Sequence, residues 1–164
     1  MPRIDIPEGR DPLMYLWGEM APGLTRPATA FSAAVYDKCS LTLREFESAR
    51  SRIAQINDCA VCLSFRSGRD APKYADDTNA PDDEFYAHVG QVWDGFSERE
   101  QLAAEFAERF AVDHLGMDDA FWERMRSAFT DDEIVELGLC VGNWVAFGRL
   151  QRVLGIDACR VPQV

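Results

Sequence analysis

The sequence predicts an all-α protein folded as one helical bundle. Apolar residues recur at i, i+3, i+4 and i+7, as in Leu13, Leu16, Trp17 and Met20, and that spacing sets them on one face of a helix. Three capping-box sequences, Thr42-Leu43-Arg44-Glu45, Ser97-Glu98-Arg99-Glu100 and Thr130-Asp131-Asp132-Glu133, put a hydroxyl and a carboxylate where they satisfy the free amides of a first helical turn. No stretch alternates apolar and polar residues as a strand does. At 164 residues, 47% of them hydrophobic, the chain is long enough to bury one core and short for two. A single domain over 1–164 is expected, with an N-terminal arm at 1–11 and a closing helix at 131–155.

The arm carries Pro2, Pro7 and Gly9 and reads as irregular. A short helix follows from Pro12 to Met20, and Ala21-Pro22-Gly23 interrupts it. The spacing predicts a second helix over 27–38, with Phe31, Ala34, Val35 and Cys39 turned inward. The helix opened by Thr42 runs through Phe46, Ala49, Arg50, Ile53, Ala54 and Ile56. Asn57-Asp58 end it and cap a further helix from Cys59 toward Arg69. Residues 71–94 hold Pro72, Pro81 and the acidic runs Asp76-Asp77 and Asp82-Asp83-Glu84. They read as a solvated surface loop and a short helix carrying Phe85, Val89 and Trp93.

Ser97 opens a helix through Leu102, Ala103, Phe106, Ala107 and Phe110, and a break at Leu115-Gly116 precedes another with Phe121, Met125 and Ala128 on one side. The closing helix carries Ile134, Leu137, Val141, Trp144, Val145, Gly148 and Leu150, and Gly155 ends it. It is apolar around most of its circumference. A helix of that kind is either fully buried or half of an interface, so a homo-oligomer is expected.

Charge narrows the partners. A net charge of -11 argues against nucleic acid, whose binding rests on Lys and Arg neutralising phosphates, and against anionic membrane surfaces. No run approaches the ~20 apolar residues that span a bilayer, and Met1-Pro2-Arg3-Ile4-Asp5 lacks the apolar stretch of a secretion signal. A cytoplasmic protein is expected.

Five cysteines, Cys39, Cys59, Cys62, Cys140 and Cys159, form an odd set in which only Cys59 and Cys62 are close. Three readings of that CxxC compete. In the redox reading one thiolate attacks a substrate and the other closes a disulfide. A metal site would need two further Cys or His ligands; no second close pair exists, and His88 and His114 lie far apart in sequence. In the third reading both are small core residues, which is also the reading for Cys39, Cys140 and Cys159. Asn57 or Asp58 places Cys59 at a helix start, where free amides favour a thiolate. Cys59 is therefore expected to be the more acidic and the more exposed of the two. Trp17, Trp93, Trp122 and Trp144, with ten phenylalanines, read as core, or else as the lining of an apolar cavity.

Glu47, Cys59 and Cys62, within the run from Glu47 to Cys62, resemble the core motif of the carboxymuconolactone decarboxylase and AhpD-like (alkylhydroperoxidase D) superfamily. That motif, here 42–70, sets a glutamate ahead of the first cysteine by the interval from 47 to 59, then CxxC, then a histidine one helical turn on. The segment from Asp131 to Ile156 is similar to the family's closing helix. The resemblance implies an AhpD-like helical bundle, usually oligomeric. In redox-active members it implies a thiol peroxidase or disulfide reductase of antioxidant type. Such a protein needs no metal or organic cofactor, takes a hydroperoxide or disulfide as substrate, and is re-reduced by a thiol protein. Residue by residue it makes Cys62 the peroxidatic sulfur, Cys59 its resolving partner and Glu47 the general base. The helix-start argument favours Cys59 instead, and the order stays open at this point.

Arg66 stands where the family pattern has histidine. Arginine is permanently protonated and cannot relay a proton; it can hold a thiolate by charge, or pair with Glu47 and weaken that base. His88 or His114 would then have to fill the relay from elsewhere in the fold. Two alternatives follow: a catalytically altered or non-enzymatic family member, and a decarboxylase-like enzyme acting on a lactone acid, which needs no CxxC.

Overall fold

In the computed structural model, residues 2–156 are described, and among them there is no strand. Among the described residues nine α-helices follow in order: α1 (Pro12–Gly18), α2 (Pro22–Lys38), α3 (Leu43–Ile56), α4 (Ala60–Ser64), α5 (Ser67–Asp70), α6 (Asp83–His88), α7 (Glu98–Val112), α8 (Asp119–Ala128) and α9 (Asp131–Val153). Short 3-10 turns at Pro72–Tyr74 and His114–Gly116 join some of them. The expected all-α bundle is what forms. Cys159 lies outside the described residues.

The centre of the bundle is α3, which packs against both α7 and α9. Phe46, Ala49 and Ile53 of α3 meet Phe106 of α7, Phe121 and Met125 of α8, and Leu137, Val141 and Trp144 of α9. Phe46 stands edge-on to Trp144 at a centroid distance of 4.8 Å. A smaller cluster of Phe85, Val89 and Phe96 forms under the segment after the acidic loop.

All three capping boxes form, and their glutamates do more than cap. Glu45 accepts from Arg99 at 2.5 Å, Arg99 also reaches Glu133 at 2.7 Å, and Glu100 accepts from Arg44 at 2.8 Å. The first turns of α3, α7 and α9 are thereby bolted to one another at one end of the bundle. The hydrogen bond from Arg99, with that of Thr130, holds the Glu133 carboxyl down to about 2. Carboxylates that serve two donors in this way favour their charged form.

Two sequence expectations need correction. The first is the turn at 21–23 and the helix after it. Ala21 adopts a left-handed φ of 42° and α2 starts at once with Pro22, where a missing N–H is no loss. Pro27 lies inside that helix and removes only one bond, to the Gly23 carbonyl. Phe31 and Ala34 are exposed; Val35 is buried, Ser32 and Tyr36 are half-buried toward a cavity, and the exposed Thr29 lines its rim. The apolar pattern misled because part of this inner face is polar and walls a cavity.

The second correction is the helix from Cys59 toward Arg69. It breaks after Ser64, and Arg66 becomes the extended residue before α5. In a continuous helix the Arg66 amide would bond the Cys62 carbonyl. That carbonyl instead accepts from Arg50 Nη1 at 2.7 Å, the Phe65 carbonyl accepts from Arg50 Nη2 at 2.9 Å, and the Arg66 amide donates to Asp70.

Along α9 one side is buried through Leu137, Cys140, Val141, Asn143, Trp144 and Gly148. Val135, Leu139, Ala146, Leu150 and Val153 form an apolar stripe on the other side, open to solvent in the isolated chain. Gly155, at a φ of 66°, closes α9. Its amide and that of Ile156 return to the Arg152 and Gln151 carbonyls, a Schellman motif. No helix among the described residues is long and apolar enough to cross a membrane.

Candidate redox site at the Cys59–Cys62 turn

The site is made where α3 ends. Asn57 terminates the helix, Asp58 takes a left-handed φ of 49°, and the chain turns so that Cys59 precedes the first residue of α4. Cys59 and Cys62 are joined as a disulfide with their Cα atoms 5.2 Å apart. The Cys62 amide donates to Cys59 Sγ at 3.3 Å. Cys59 thus occupies the helix-start position read from the sequence, but it is 0% exposed. The expectation that it is the more exposed cysteine is overturned. Cys59 lies against Ala54, whose carbonyl accepts from its amide, and against Gln151 of α9, whereas Cys62, one turn on, is half-buried and faces a cavity.

That cavity, of about 290 Å³, opens between α1, α2, the end of α3, α4 and α9. Trp17, Tyr36, Phe65, Trp144 and Phe147 give it an aromatic wall, and the Trp17 and Phe147 rings meet at 4.8 Å. Arg50, Asn57, Asn143 and Gln151 bring polar atoms to it. Asn143 Oδ1 is buried with no hydrogen-bond partner among the described residues, so the cavity offers an unused acceptor.

The long helix α9 reaches the disulfide through a glycine. A Cβ on Gly148 would sit 2.8 Å from Asn57 Nδ2 and 3.4 Å from Cys62 Sγ, the first a clash. Asn57 fixes the approach by donating to the Trp144 carbonyl at 3.0 Å and accepting from Arg149 at 3.2 Å. Gln151 Oε1 lies 3.8 Å from Cys59 Sγ.

Glu47 and Arg50 sit one turn apart on α3 beneath this turn. Glu47 is 0% exposed, and both its oxygens are fully engaged. Oε1 accepts from Arg50 Nε at 2.5 Å and Ser67 Oγ at 2.6 Å; Oε2 accepts from Arg50 Nη2 at 2.9 Å and Tyr86 Oη at 2.5 Å. Burial alone would raise its pKa, but the Arg50 charge and these four donors outweigh it and hold the carboxyl below its ordinary value. Burial, and then the Glu47 charge, push the Tyr86 hydroxyl up. Glu47 does not line the cavity; Arg50, its partner, does.

Arg66 is not the partner of Glu47. Its guanidinium lies 3.7 Å from the centre of the Tyr86 ring and donates to the Leu63 and Phe65 carbonyls at 2.6 and 3.0 Å. It belongs to the shell around Glu47 through Tyr86 and lines no part of the cavity. His88 stacks on Trp93 at 4.7 Å and donates to the Glu84 carbonyl, and His114 is exposed; neither faces the cavity. Among the described residues no group of His, Cys, Asp and Glu is placed to hold a metal.

Sequence reasoning missed Arg50, Ser67, Tyr86, Asn57 and Gly148 as site residues. The i,i+3 spacing of Glu47 and Arg50 was a readable signal, as was a glycine inside a helix that otherwise favours larger residues. Tyr86, 39 residues from Glu47 and beyond the acidic loop, carried none.

The helical bundle has an AhpD-like fold. The crystal structure of an Agrobacterium tumefaciens protein of unknown function, provisionally described as an antioxidant defence protein AhpD, superposes with a TM-score of 0.71. It covers 94% of this chain and 96% of that one at 19% identity, a likeness of fold. In sequence the chain is 29% identical over 116 residues to the uncharacterised protein YnjA of Escherichia coli strain K12. That match covers 69% of this chain and 62% of YnjA, so the chain spans less than two thirds of the relative's length. No family model matches the chain.

Because the Glu47 pKa is lowered on folding, its contribution to stability is full above the ordinary carboxylate range and is lost as pH falls through the lowered value. Glu47→Gln leaves Arg50 as an uncompensated buried charge and is expected to cost about 3–5 kcal/mol at neutral pH. The difference from the parent should narrow as the pH is lowered. Urea denaturation of both proteins from pH 7 down to pH ~3 measures it; a loss under about 1 kcal/mol at neutral pH would show that the pair is not the buried anchor described.

Proposed function

We propose that the chain is a thiol-dependent peroxidase or disulfide reductase working from Cys62. One observation carries this reading: of two disulfide-linked sulfurs, one is sealed and the other faces an aromatic cavity beside a permanent positive charge. A cation near a sulfur favours the thiolate, and Arg50, which also holds the Cys62 carbonyl, supplies it.

In the reduced protein the Cys62 thiolate attacks the distal oxygen of a hydroperoxide. The O–O bond breaks, the alkoxide leaves and takes up a proton as the alcohol, and Cys62 becomes a sulfenic acid. The Cys59 sulfur then attacks Cys62 Sγ, hydroxide leaves with the Cys59 proton as water, and the disulfide forms. In the return half, a thiolate of a reductant dithiol attacks Cys62, the reachable sulfur. Cys59 departs as a thiolate accepting the Cys62 amide, which lies 3.3 Å away in the disulfide, and that acceptance lowers the leaving group's basicity. The second reductant thiol then releases Cys62.

Glu47 in this reading is a positioning residue. All four of its donors are protein groups, and its charge fixes Arg50 instead of shuttling a proton. The cavity wall selects hydroperoxides with an apolar body.

The test is stoichiometric oxidation of the reduced protein by cumene hydroperoxide. Cys62→Ser should abolish the fast reaction, and Cys59→Ser should leave a sulfenic acid on Cys62 that dimedone traps. Phe147→Ala should raise KM for cumene hydroperoxide several-fold and leave that for hydrogen peroxide nearly unchanged. Undiminished oxidation of Cys62→Ser would sink the reading.

The exposed stripe of α9, Val135, Leu139, Ala146, Leu150 and Val153, is the surface through which the same reading assembles copies of the chain. Sedimentation velocity should show a species larger than the monomer, shifted toward monomer by Leu139→Glu; a monomer at every concentration would contradict it.

A further inference from the structure

The two cysteines that looked like core filling, Cys39 and Cys140, are not isolated from one another. Cys39 ends α2 and Cys140 lies in the middle of α9; both are free and buried. Both belong to the same buried cluster and line the same groove, near enough for each thiol to shift the other's titration. The neighbouring Cys140 thiol lowers the Cys39 pKa, while the Cys39 thiol, with burial, raises that of Cys140.

The pair has its own way out. A groove of about 170 Å³ between α2 and α9 is lined by both cysteines, with Phe31, Ala34 and Leu139 as apolar walls and Lys38 and Glu136 beside it. Glu136 ties the two elements together by accepting from the Ser40 amide and hydroxyl at 2.6 and 2.7 Å. Lys73 donates to the Cys39 carbonyl. The Tyr74 hydroxyl, in the same buried cluster as both cysteines, has no hydrogen-bond partner among the described residues. Two thiols in contact, a neighbouring unused hydroxyl and a small apolar opening are more than packing requires.

We propose that Cys39 and Cys140 are a second redox-active dithiol, which small alkyl hydroperoxides reach through the α2–α9 groove and close into a disulfide. This site does not depend on the reading of Cys59 and Cys62. The Cys39 thiolate attacks the distal peroxide oxygen, the O–O bond breaks, and the alkoxide leaves and is protonated to the alcohol. The Cys140 sulfur then attacks the Cys39 sulfenic acid, the S–S bond forms, and the hydroxyl leaves with the Cys140 proton as water. Two thiols are oxidised and one hydroperoxide is reduced. The product ties the end of α2 to the middle of α9 and closes a loop of about a hundred residues, a cross-link that strongly restricts the unfolded chain.

The test uses the reduced full chain and tert-butyl hydroperoxide, followed by alkylation, trypsin digestion and mass spectrometry. Cleavage after Lys38, Arg44, Arg126 and Arg149 releases Cys39 and Cys140 on separate peptides, apart from those of Cys59, Cys62 and Cys159. A Cys39–Cys140 linked peptide is expected in the parent and in the Cys59→Ser, Cys62→Ser double variant. In Cys140→Ser the linked peptide should vanish and dimedone should label Cys39. Cys39 and Cys140 both remaining alkylatable, in the same parent sample whose Cys59–Cys62 pair has closed, would overturn the proposal. Linkage of either to Cys159 in place of each other would do the same. The parent sample alone decides the matter if a variant fails to fold.

Discussion

The buried ion pair between Glu47 and Arg50 sets the geometry of everything around the CxxC turn. A guanidinium taken out of water must have its N–H groups satisfied. Arg50 does this with both Glu47 oxygens, the Ser51 hydroxyl and the carbonyls of Cys62 and Phe65. Those two carbonyls belong to the segment after α3, so solvating one arginine inside the protein dictates where α4 ends. The charge could not be left there without Glu47, and Glu47 could not be buried without Ser67 and Tyr86. A residue on α3, one on α5 and one on α6 are thereby bound to the same carboxylate.

That constraint has a consequence for the sulfurs. Because α4 is cut to Ala60–Ser64 and held by its carbonyls, Cys59 is turned into the packing under α9 and Cys62 toward the cavity. The amide of Cys62 satisfies the sealed sulfur. Gly148 and Asn57 let α9 close over it. The proposed chemistry and the stability of the turn draw on the same groups. The carboxylate that the sequence suggests as a base is engaged on all sides, and the charge that reaches the cavity is that of Arg50. Arg66 fits its surroundings: its guanidinium packs on Tyr86 and donates to the Leu63 and Phe65 carbonyls, a role that needs a permanent charge and no proton exchange.

Much of the fold was legible because local signals agreed with the tertiary structure. Thr42, Ser97 and Thr130 with their glutamates marked three helix starts, and Gly155 marked a helix end, since capping chemistry is local. The CxxC and its glutamate were legible as a motif. What was not legible depends on contacts distant in the chain. Phe31 and Ala34 fit the inward spacing of α2, yet it is Ser32 and Tyr36 that turn toward the cavity instead. The break before Arg66 follows from Arg50, twelve residues before Cys62, capturing a carbonyl. The order of exposure of Cys59 and Cys62 follows from α9, whose approach through Gly148 no local pattern announces. Contact between Cys39 and Cys140 likewise joins helices a hundred residues apart.

The central claim is that the Glu47–Arg50 anchor presents Cys62, and not Cys59, to incoming sulfur or oxygen. Quenching the reaction of the oxidised protein with a monothiol reductant by rapid acid, and locating the mixed disulfide by mass spectrometry, tests it directly. The adduct should sit on Cys62, with Cys59 free. An adduct that accumulates first on Cys59 would mean that the buried sulfur is the one attacked, and the account of this site would be wrong.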